Sequence, residues 1–149
     1  MPEKKTVQRA RKAKREGKSA STQAGEFVRE EIHHVREGKH GARSAKQAIA
    51  IGLSKARRSG VRLPPPEPGQ TTVRVRKRAE RDVARGRHPR RPSKKRSKAV
   101  TRTLEREGRK AGSKRALSRQ AKRAAPRAKR TRARNQRTRI GRPTSRRLR

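Results

Sequence analysis

The sequence of 149 residues contains no cysteine, tryptophan or tyrosine, and a single phenylalanine, Phe27. Without cysteine it has no disulfide, no thiolate nucleophile and no cysteine-ligated zinc finger. A single phenylalanine cannot provide the aromatic surface on which single-strand binders stack bases, which favours a duplex partner. No apolar run approaches a membrane span, and no apolar segment follows the charged N-terminus as in a secretory signal. We therefore expect a cytoplasmic protein with no membrane partner.

Negative charge is also scarce. Eleven Asp and Glu oppose fifty Lys and Arg, so the formal net charge is +39. Binding to a polyanion would relieve the self-repulsion of this excess and release condensed counterions. Hydrophobic residues make up only 26% of the chain and charged residues 41%, against roughly 45–50% and about 25% in typical globular domains. We therefore expect one small folded region and extensive conditional disorder.

The pattern along the chain predicts a mainly α protein, with a short helical hairpin, basic helices and a long, largely disordered Arg/Lys-rich tail. The predicted divisions are a weakly amphipathic basic helix over 1–18, the helical hairpin over 19–63, a proline-rich linker over 64–70, and a basic tail with conditional helices over 71–149. Consecutive prolines favour an extended polyproline II spacer in the linker. The tail carries most of the positive charge and is predicted to be the main phosphate-binding element.

Two capped segments predict the hairpin. Ser21 or Thr22 can begin a first helix that ends at Gly38 in the left-handed conformation. Ser44, with Gln47 three residues later, matches a capping box for a second helix. The small residues on one face of this second helix allow another helix to approach closely. Since two short helices bury little surface, we expect the hairpin to pack on the N-terminal helix or to form a homodimer.

The tail is predicted to form helices over 73–85, 98–107 and 114–125, beginning after Thr72 and at Ser97 and Ser113. Basic clusters lie within and between these segments, and their density indicates binding to a phosphate backbone. With two cations of the hairpin turn, they give the candidate nucleic-acid-binding residues: Lys39, Arg43, Arg74, Arg76, Lys77, Arg78, Arg90, Arg91, Lys94, Lys95, Arg96, Arg127, Lys129, Arg130, Arg132, Arg134, Arg137, Arg139, Arg146 and Arg147.

The turn between the hairpin helices has three interpretations. Residues 38–41, Gly-Lys-His-Gly, have the GxxG spacing of a K-homology loop, but that domain needs a sheet and no strands are evident here. A sequence-reading helix-turn-helix would need base-facing polar side chains and a shorter turn. An ordinary helix connection fits best, and its amides at the next helix N-terminus can still bind phosphate, aided by Lys39 and Arg43.

Glu30 and Glu31 form two overlapping Glu-x-x-His pairs with His33 and His34, a motif of di-iron helix bundles. The chain has no second such motif, so we interpret these residues as an exposed polar helix face and predict no metal or cofactor. A Walker loop, a nucleophile elbow and an acidic cluster for magnesium are also missing from the sequence. The protein is therefore not predicted to be an enzyme.

Residues 44–57, Ser-Ala-Lys-Gln-Ala-Ile-Ala-Ile-Gly-Leu-Ser-Lys-Ala-Arg, resemble a segment of an uncharacterised family of small basic bacterial proteins. Some members of that family are labelled DNA-binding, histone-like or plasmid stabilisation proteins. The resemblance covers roughly residues 1–63. It implies a bacterial origin and an association with nucleic acid, but no reaction and no binding residues.

These observations favour a histone-like, nucleoid-associated protein that coats or compacts duplex DNA by neutralising phosphates, without strong sequence preference. Two alternatives stay open. One is an RNA- or ribosome-associated basic protein, which charge alone does not distinguish from a DNA-binding one. The other is a protein-interaction hairpin of the plasmid-maintenance type, anchored by the basic tail.

Overall fold

The computed structural model describes residues 2–88 and 93–126, and the regular structure within these ranges is helical, without a strand. The prediction of a mainly α protein is confirmed for this part of the chain. No helix in it combines the length and apolarity needed to cross a bilayer. In chain order the helices are α1 Lys4–Arg15, α2 Ala20–Glu37, α3 Ala45–Arg58, α4 Val73–Arg87 and α5 Lys94–Glu105, followed by a 3-10 turn at Arg109–Gly112 and by α6 over 114–126.

Capping residues define where the helices of the predicted hairpin begin and end. Ser44 begins α3 as predicted, and its hydroxyl oxygen accepts from the backbone N–H of Gln47 at 3.2 Å. Gly38 ends α2 at φ 77°, the left-handed position expected of it. The start of α2 differs from the prediction, because its N-cap is Ser19, whose hydroxyl oxygen accepts from the N–H of Thr22 at 3.2 Å. The helix therefore begins slightly earlier than the sequence indicates.

In the tail, two of the three predicted caps are confirmed. Thr72 caps α4, and Ser113 caps α6 by accepting from the N–H of Ala116 at 3.2 Å. The third was placed too late, since α5 begins after Ser93 and the N–H of Ser97 already donates to the Ser93 carbonyl at 2.9 Å. No glycine or proline separates these two serines in the sequence, so nothing stops the helix from extending back to Ser93.

Helix α1 packs along α2 through a narrow face of small side chains. Thr6 and Ala10 are buried one turn apart, and Val7 packs on the hydrophobic cluster around Phe27. The helix is more clearly amphipathic than the sequence analysis predicted, because its charged side chains lie away from this small, buried face. Small side chains let two helices approach closely. Packing of the hairpin on the N-terminal helix is confirmed, and the homodimer stays a prediction.

Helices α2 and α3 form the hairpin, and they cross where α3 has no side chain. A Cβ added at Gly52 would lie 2.6 Å from Cα of Val28 and 3.0 Å from the carbonyl oxygen of Phe27. Ala48 and Ala56, one turn to either side of Gly52, are fully buried. The small-residue face predicted for α3 is therefore confirmed, and it permits the close approach of the two backbones.

This crossing gives a stability prediction. Gly52→Ala should destabilise the fold by about 1–3 kcal/mol, the usual cost of inserting atoms into a packed contact. Gly25 is a matched control, because it is an exposed glycine of α2 with no atom within 4 Å of an added Cβ. Gly25→Ala should instead stabilise by about 0.5–1 kcal/mol through helix propensity. Urea unfolding followed by circular dichroism measures both changes, and a Gly52→Ala variant as stable as the unaltered protein would contradict the close crossing.

The proline-rich segment begins packed on α3. Arg57 is buried, and its guanidinium donates to the carbonyl oxygens of Leu63 at 3.3 Å and Pro64 at 3.2 Å. Burial lowers the pKa of Arg57, and the Asp82 carboxylate opposes that shift. Arginine stays charged in proteins, so this contact places a buried cation against the start of the segment.

Helix α4 and the 3-10 turn also pack on the hairpin. The hydroxyl of Ser54 on α3 donates to the Asp82 carboxylate on α4 at 2.5 Å. At the 3-10 turn, the carbonyl oxygen of Gly112 accepts from Arg36 of α2 at 2.7 Å, and Ala111 is buried in a second hydrophobic cluster. Parts of the predicted conditional tail therefore contribute to the core. Alanine, glycine and one aspartate gave no apolar pattern from which this packing could be predicted.

Candidate nucleic-acid interface

The carboxylates of the protein are largely turned inwards or paired. All eleven acidic residues lie between Glu3 and Glu107, and among them Glu30, Glu31 and Asp82 are buried. Most of the others form ion pairs with neighbouring cations. Since lysine and arginine are far more numerous, the outer surfaces of several helices are left strongly cationic.

The outer face of α4 carries a row of arginines. Arg74, Arg78, Arg81 and Arg85 are exposed and follow the spacing i, i+4, i+7, i+11. This spacing places them on one side of the helix, over about 16 Å at 1.5 Å per residue. Within the described ranges none of the four is in an ion pair. Arg74 and Arg78 were predicted binding residues, whereas the other two extend the same row.

The other two predicted residues of α4 differ in their surroundings. Lys77 is exposed beside the arginine row. Arg76 points towards Glu80 and forms an i,i+4 ion pair with it at 2.9 Å. Phosphate binding through Arg76 would therefore have to compete with this carboxylate.

Helix α5 presents cations on its first turn and along one side. Lys94, Lys95 and Arg96, all predicted, are exposed, and the helix buries no residue. Lys98 and Arg102 continue the side that begins at Lys94. Positive charge at a helix N-terminus is opposed by the helix dipole, and an external anion would remove that conflict.

Helix α1 adds a cationic surface that the site prediction missed. Lys5, Arg11, Lys12 and Arg15 border one shallow groove along its outer side. The sequence does identify this helix as basic, but which of its cations face outwards follows from the burial of Thr6 and Ala10. A helical wheel anchored on these two small residues could have found the surface.

The two predicted residues of the hairpin turn are placed differently from each other. Lys39 is paired with Glu3 at 3.4 Å and with Glu37 at 3.2 Å, and its hydrogen bond to Glu37 is the main cause that raises the pKa of Lys39. Arg43 has an exposed side chain, and its backbone N–H donates to Oε1 of Gln47 at 2.9 Å. The exposed guanidinium of Arg43 is thus the more accessible cation of the turn.

The backbone of this turn is covered by the last turn of α5 and the chain that follows it. The N–H of Gly41 donates to the carbonyl oxygen of Leu104 at 2.9 Å, and that of Ala42 to Gly108 at 3.1 Å. A Cβ on Gly41 would overlap the carbonyl oxygen of Glu107. The loop therefore lacks both the open backbone and, within the ranges described above, the sheet that a K-homology domain requires.

The other predicted binding residues cannot be placed on this surface. Their assignment rests on composition, since no acidic residue follows Glu107. Those outside the described residues are Arg90, Arg91, Arg127, Lys129, Arg130, Arg132, Arg134, Arg137, Arg139, Arg146 and Arg147.

The polar side of α2 is not the exposed face that the sequence predicted. Glu30 is 4% exposed and Glu31 is fully buried, so that interpretation is wrong for both. Lys55 of α3 lies above them, with Nζ 2.5 Å from Oε2 of Glu31 and 3.7 Å from Oε1 of Glu30. His33 does face solvent, and it pairs with Glu37 at 2.8 Å.

Two histidines lie beside this buried acidic pair. His34 contacts Oε1 of Glu3 through Nε2 at 2.9 Å, and this hydrogen bond is the main cause that lowers the pKa of Glu3. His40, from the turn, places Nε2 3.3 Å from Oε1 of Glu31 and Nδ1 3.1 Å from the carbonyl oxygen of Gly41. One ligand atom each from Glu31, His34 and His40 lies within 4.8 Å of the others. The sequence does not group His40 with Glu31 and His34, because only the fold of the turn brings it back to α2.

Comparison with known proteins gives a partial match to one family model and no function. Residues 11–67 match the model of a family of unknown function, DUF6496. The matched part includes the end of α1, all of α2 and α3, and the start of the proline-rich segment, and it covers less than half of the chain. No curated protein and no solved structure matches the chain. Any functional conclusion therefore depends on the geometry and charge of the surface itself.

Proposed function

We propose that this protein binds the phosphate backbone of duplex DNA without strong sequence preference, as a histone-like protein that coats or compacts the nucleoid. The observation that carries the proposal is the arrangement of charge: most carboxylates are buried or paired, while cations of α1, α4 and α5 face solvent. With a net charge of +39, most lysines and arginines have no carboxylate of the chain to pair with. An extended polyanion would supply the missing negative charge.

The absence of accessible aromatic rings supports a duplex partner. Phe27 is the only aromatic residue of the Phe, Tyr and Trp group in the sequence, and it is 1% exposed in the core. Base stacking on aromatic side chains, which supplies much of the affinity of single-strand binders, therefore has no platform here. Backbone contacts are the mode of binding that remains for arginine and lysine.

The mechanism is phosphate neutralisation with release of counterions. Each arginine presents a planar fork that can hold a phosphate through two hydrogen bonds. Each neutralised phosphate should contribute roughly 0.9 to the slope of log affinity against log salt. The Arg/Lys-rich residues 127–149 add further contacts along the duplex, while the packed helices hold the rows on α1 and α4 at fixed positions.

The arginine row of α4 provides the test. Replacing Arg74, Arg78, Arg81 and Arg85 together by glutamine should reduce the salt slope by up to about 3.6, for four lost phosphate contacts. The loss of affinity should be similar for duplexes of unrelated sequence. Fluorescence anisotropy of short labelled duplexes at several salt concentrations measures both quantities.

The matched control replaces the same four arginines by lysine. This variant keeps the charge, so its salt slope should stay that of the unaltered protein, although the bidentate fork is lost. An unchanged salt slope in the glutamine variant would show that the arginines of α4 do not contact phosphate. A loss confined to one DNA sequence would instead indicate direct readout of bases.

RNA is the alternative partner that the same surface allows. A competition titration with structured RNA of the same number of phosphates belongs in the experiment, because both polymers present phosphate rows. Displacement of the duplex by an equal amount of RNA, at the salt concentration of the binding assay, would show that RNA is the preferred partner and would overturn the proposal for DNA.

A further inference from the structure

The carboxylate of Glu31 is buried without adequate hydrogen bonding. The residue is 0% exposed, and neither of its oxygens has a hydrogen bond of acceptable geometry within the described residues. The ammonium of Lys55 stands 2.5 Å from Oε2, so that oxygen has a charged neighbour even though the angles are poor. Oε1 is turned the other way, towards His40.

The ring of His40 is held so that Nε2 faces this oxygen. Its Nδ1 lies 3.1 Å from the carbonyl oxygen of Gly41, and since a carbonyl only accepts, Nδ1 is the nitrogen that carries the proton. In neutral imidazole the other nitrogen then has a lone pair. That lone pair is directed at Oε1 of Glu31, 3.3 Å away. Two acceptors face each other at this distance, and a cation between them would satisfy both.

The buried charges of the cluster also do not balance. Glu30 and Glu31 are both buried and share the single ammonium of Lys55. Glu3, which contacts His34, has its own cation in Lys39. Among the residues that the structure describes, one buried negative charge is therefore left without a lysine or arginine, and an uncompensated buried charge is costly.

The third donor completes a set of three. His34 lies one turn after Glu31 on the same face of α2, and its ring is fixed by the carboxylate of Glu3 at 2.9 Å. We propose that Glu31, His34 and His40 form a binding site for one divalent transition-metal ion of the zinc class. The three ligand atoms lie within 4.8 Å of one another. The His40–Glu31 pair already has the spacing of roughly 3.4 Å that two ligands with bonds of 2.0–2.1 Å have around a tetrahedral zinc ion.

The donor types select the class of ion. Two imidazole nitrogens and one carboxylate oxygen suit zinc and its neighbours, whereas magnesium and calcium require shells made almost entirely of oxygen. The bond from Nδ1 of His40 to a backbone carbonyl is the outer contact that ligating histidines usually make. The side chains of His34 and His40 are 12% and 15% exposed, so the site has an edge through which an ion and a coordinating water can enter.

The test is a metal titration of the full chain without an affinity tag of histidines and without DNA. Protein stripped with EDTA and then freed of the chelator should bind one zinc ion per chain in competition with a chromophoric chelator. Cobalt should bind in the same position and show the visible absorption of a tetrahedral site. Zinc should raise the thermal unfolding midpoint, whereas magnesium should not.

Variants assign the ligands. His40→Gln and His34→Gln should each weaken zinc binding by at least about 100-fold, since the loss of an outer partner alone costs 10–100-fold. His33→Gln is the matched control, because this neighbour of His34 faces solvent and pairs with Glu37. It should bind zinc as the unaltered protein does. Circular dichroism checks that each variant is folded. If the buried Glu31→Gln variant is also folded, its zinc binding should be weakened in the same way.

Each other result overturns the site. Absence of zinc binding to the folded, unaltered chain would mean that Glu31, His34 and His40 do not form a metal site. Equal binding by the His40→Gln variant, or equal losses in the His33→Gln and His34→Gln variants, would mean that zinc binds elsewhere on the surface.

Discussion

Removal of residues 127–149 should flatten the salt dependence of DNA binding more than any other change to this protein. The deletion removes eleven lysines and arginines and no carboxylate, which lowers the net charge from +39 to +28. If each of these cations neutralises one phosphate, the salt slope falls by up to about 10. A protein with six to ten phosphate contacts loses about 10³–10⁵ in affinity between 50 and 200 mM salt. The full chain should show a loss of this size, and the truncated chain a much smaller one.

The truncated chain should fold as before, because it keeps every residue of the two hydrophobic clusters. Equal unfolding midpoints of the two chains would establish this. A full-length variant in which the same eleven cations are replaced by glutamine separates charge from length, and it should match the truncation. If truncation leaves the salt slope unchanged, these residues do not contact phosphate, and binding must come from the packed helices.

The local features of the hairpin could be predicted because their causes lie within a few residues. The cap at Ser44 and the left-handed Gly38 depend on one helical turn of sequence. The small face around Gly52 is likewise visible as a helical stripe. Where several polar residues compete, local reasoning is less accurate, and this is why Ser19 rather than Ser21 caps α2.

The packing of α4 could not be predicted, because its cause is distant in sequence. Ala79 and Asp82 are buried against α3, where Ser54 donates to the aspartate and Arg58 forms an ion pair with it at 3.7 Å. An alanine and a carboxylate among arginines give no apolar periodicity. The pairing of surface charges was equally hard to predict. Composition reveals the excess of cations, but the folded arrangement decides which of them form ion pairs, as Arg76 does with Glu80.

The buried carboxylates of α2 are the clearest case of a non-local cause. A Glu-Glu pair predicts an exposed face, since glutamate is almost never fully buried unless paired. Both oxygens of Glu30 lie 3.3 Å from the backbone N–H of Glu3, at the start of α1, where the helix dipole favours negative charge. Glu31 depends on Lys55. Neither partner is near these residues in the sequence, so the burial becomes evident only once three helices are assembled.

Lys55→Met should therefore be the most destabilising single substitution in the hairpin, with a loss of about 3–5 kcal/mol in the free energy of unfolding. Removing one partner of a buried ion pair leaves the other charge uncompensated, and losses of this size are typical. Domains have a total stability of about 5–15 kcal/mol, so the variant should be partly unfolded at modest urea concentrations. Equilibrium urea unfolding in the presence of EDTA measures the loss without a contribution from metal.

Two comparisons make this result specific to the buried charge. Lys46→Met changes an exposed lysine of the same helix and should alter stability by no more than about 0.5 kcal/mol. Adding Glu31→Gln to Lys55→Met should restore part of the lost stability, because it removes the uncompensated carboxylate. A loss below about 1 kcal/mol for Lys55→Met alone would show that the pair is solvated or protonated. Zinc added in place of EDTA should stabilise the Lys55→Met chain more than the unaltered one, since the ion then supplies positive charge that the lysine no longer provides.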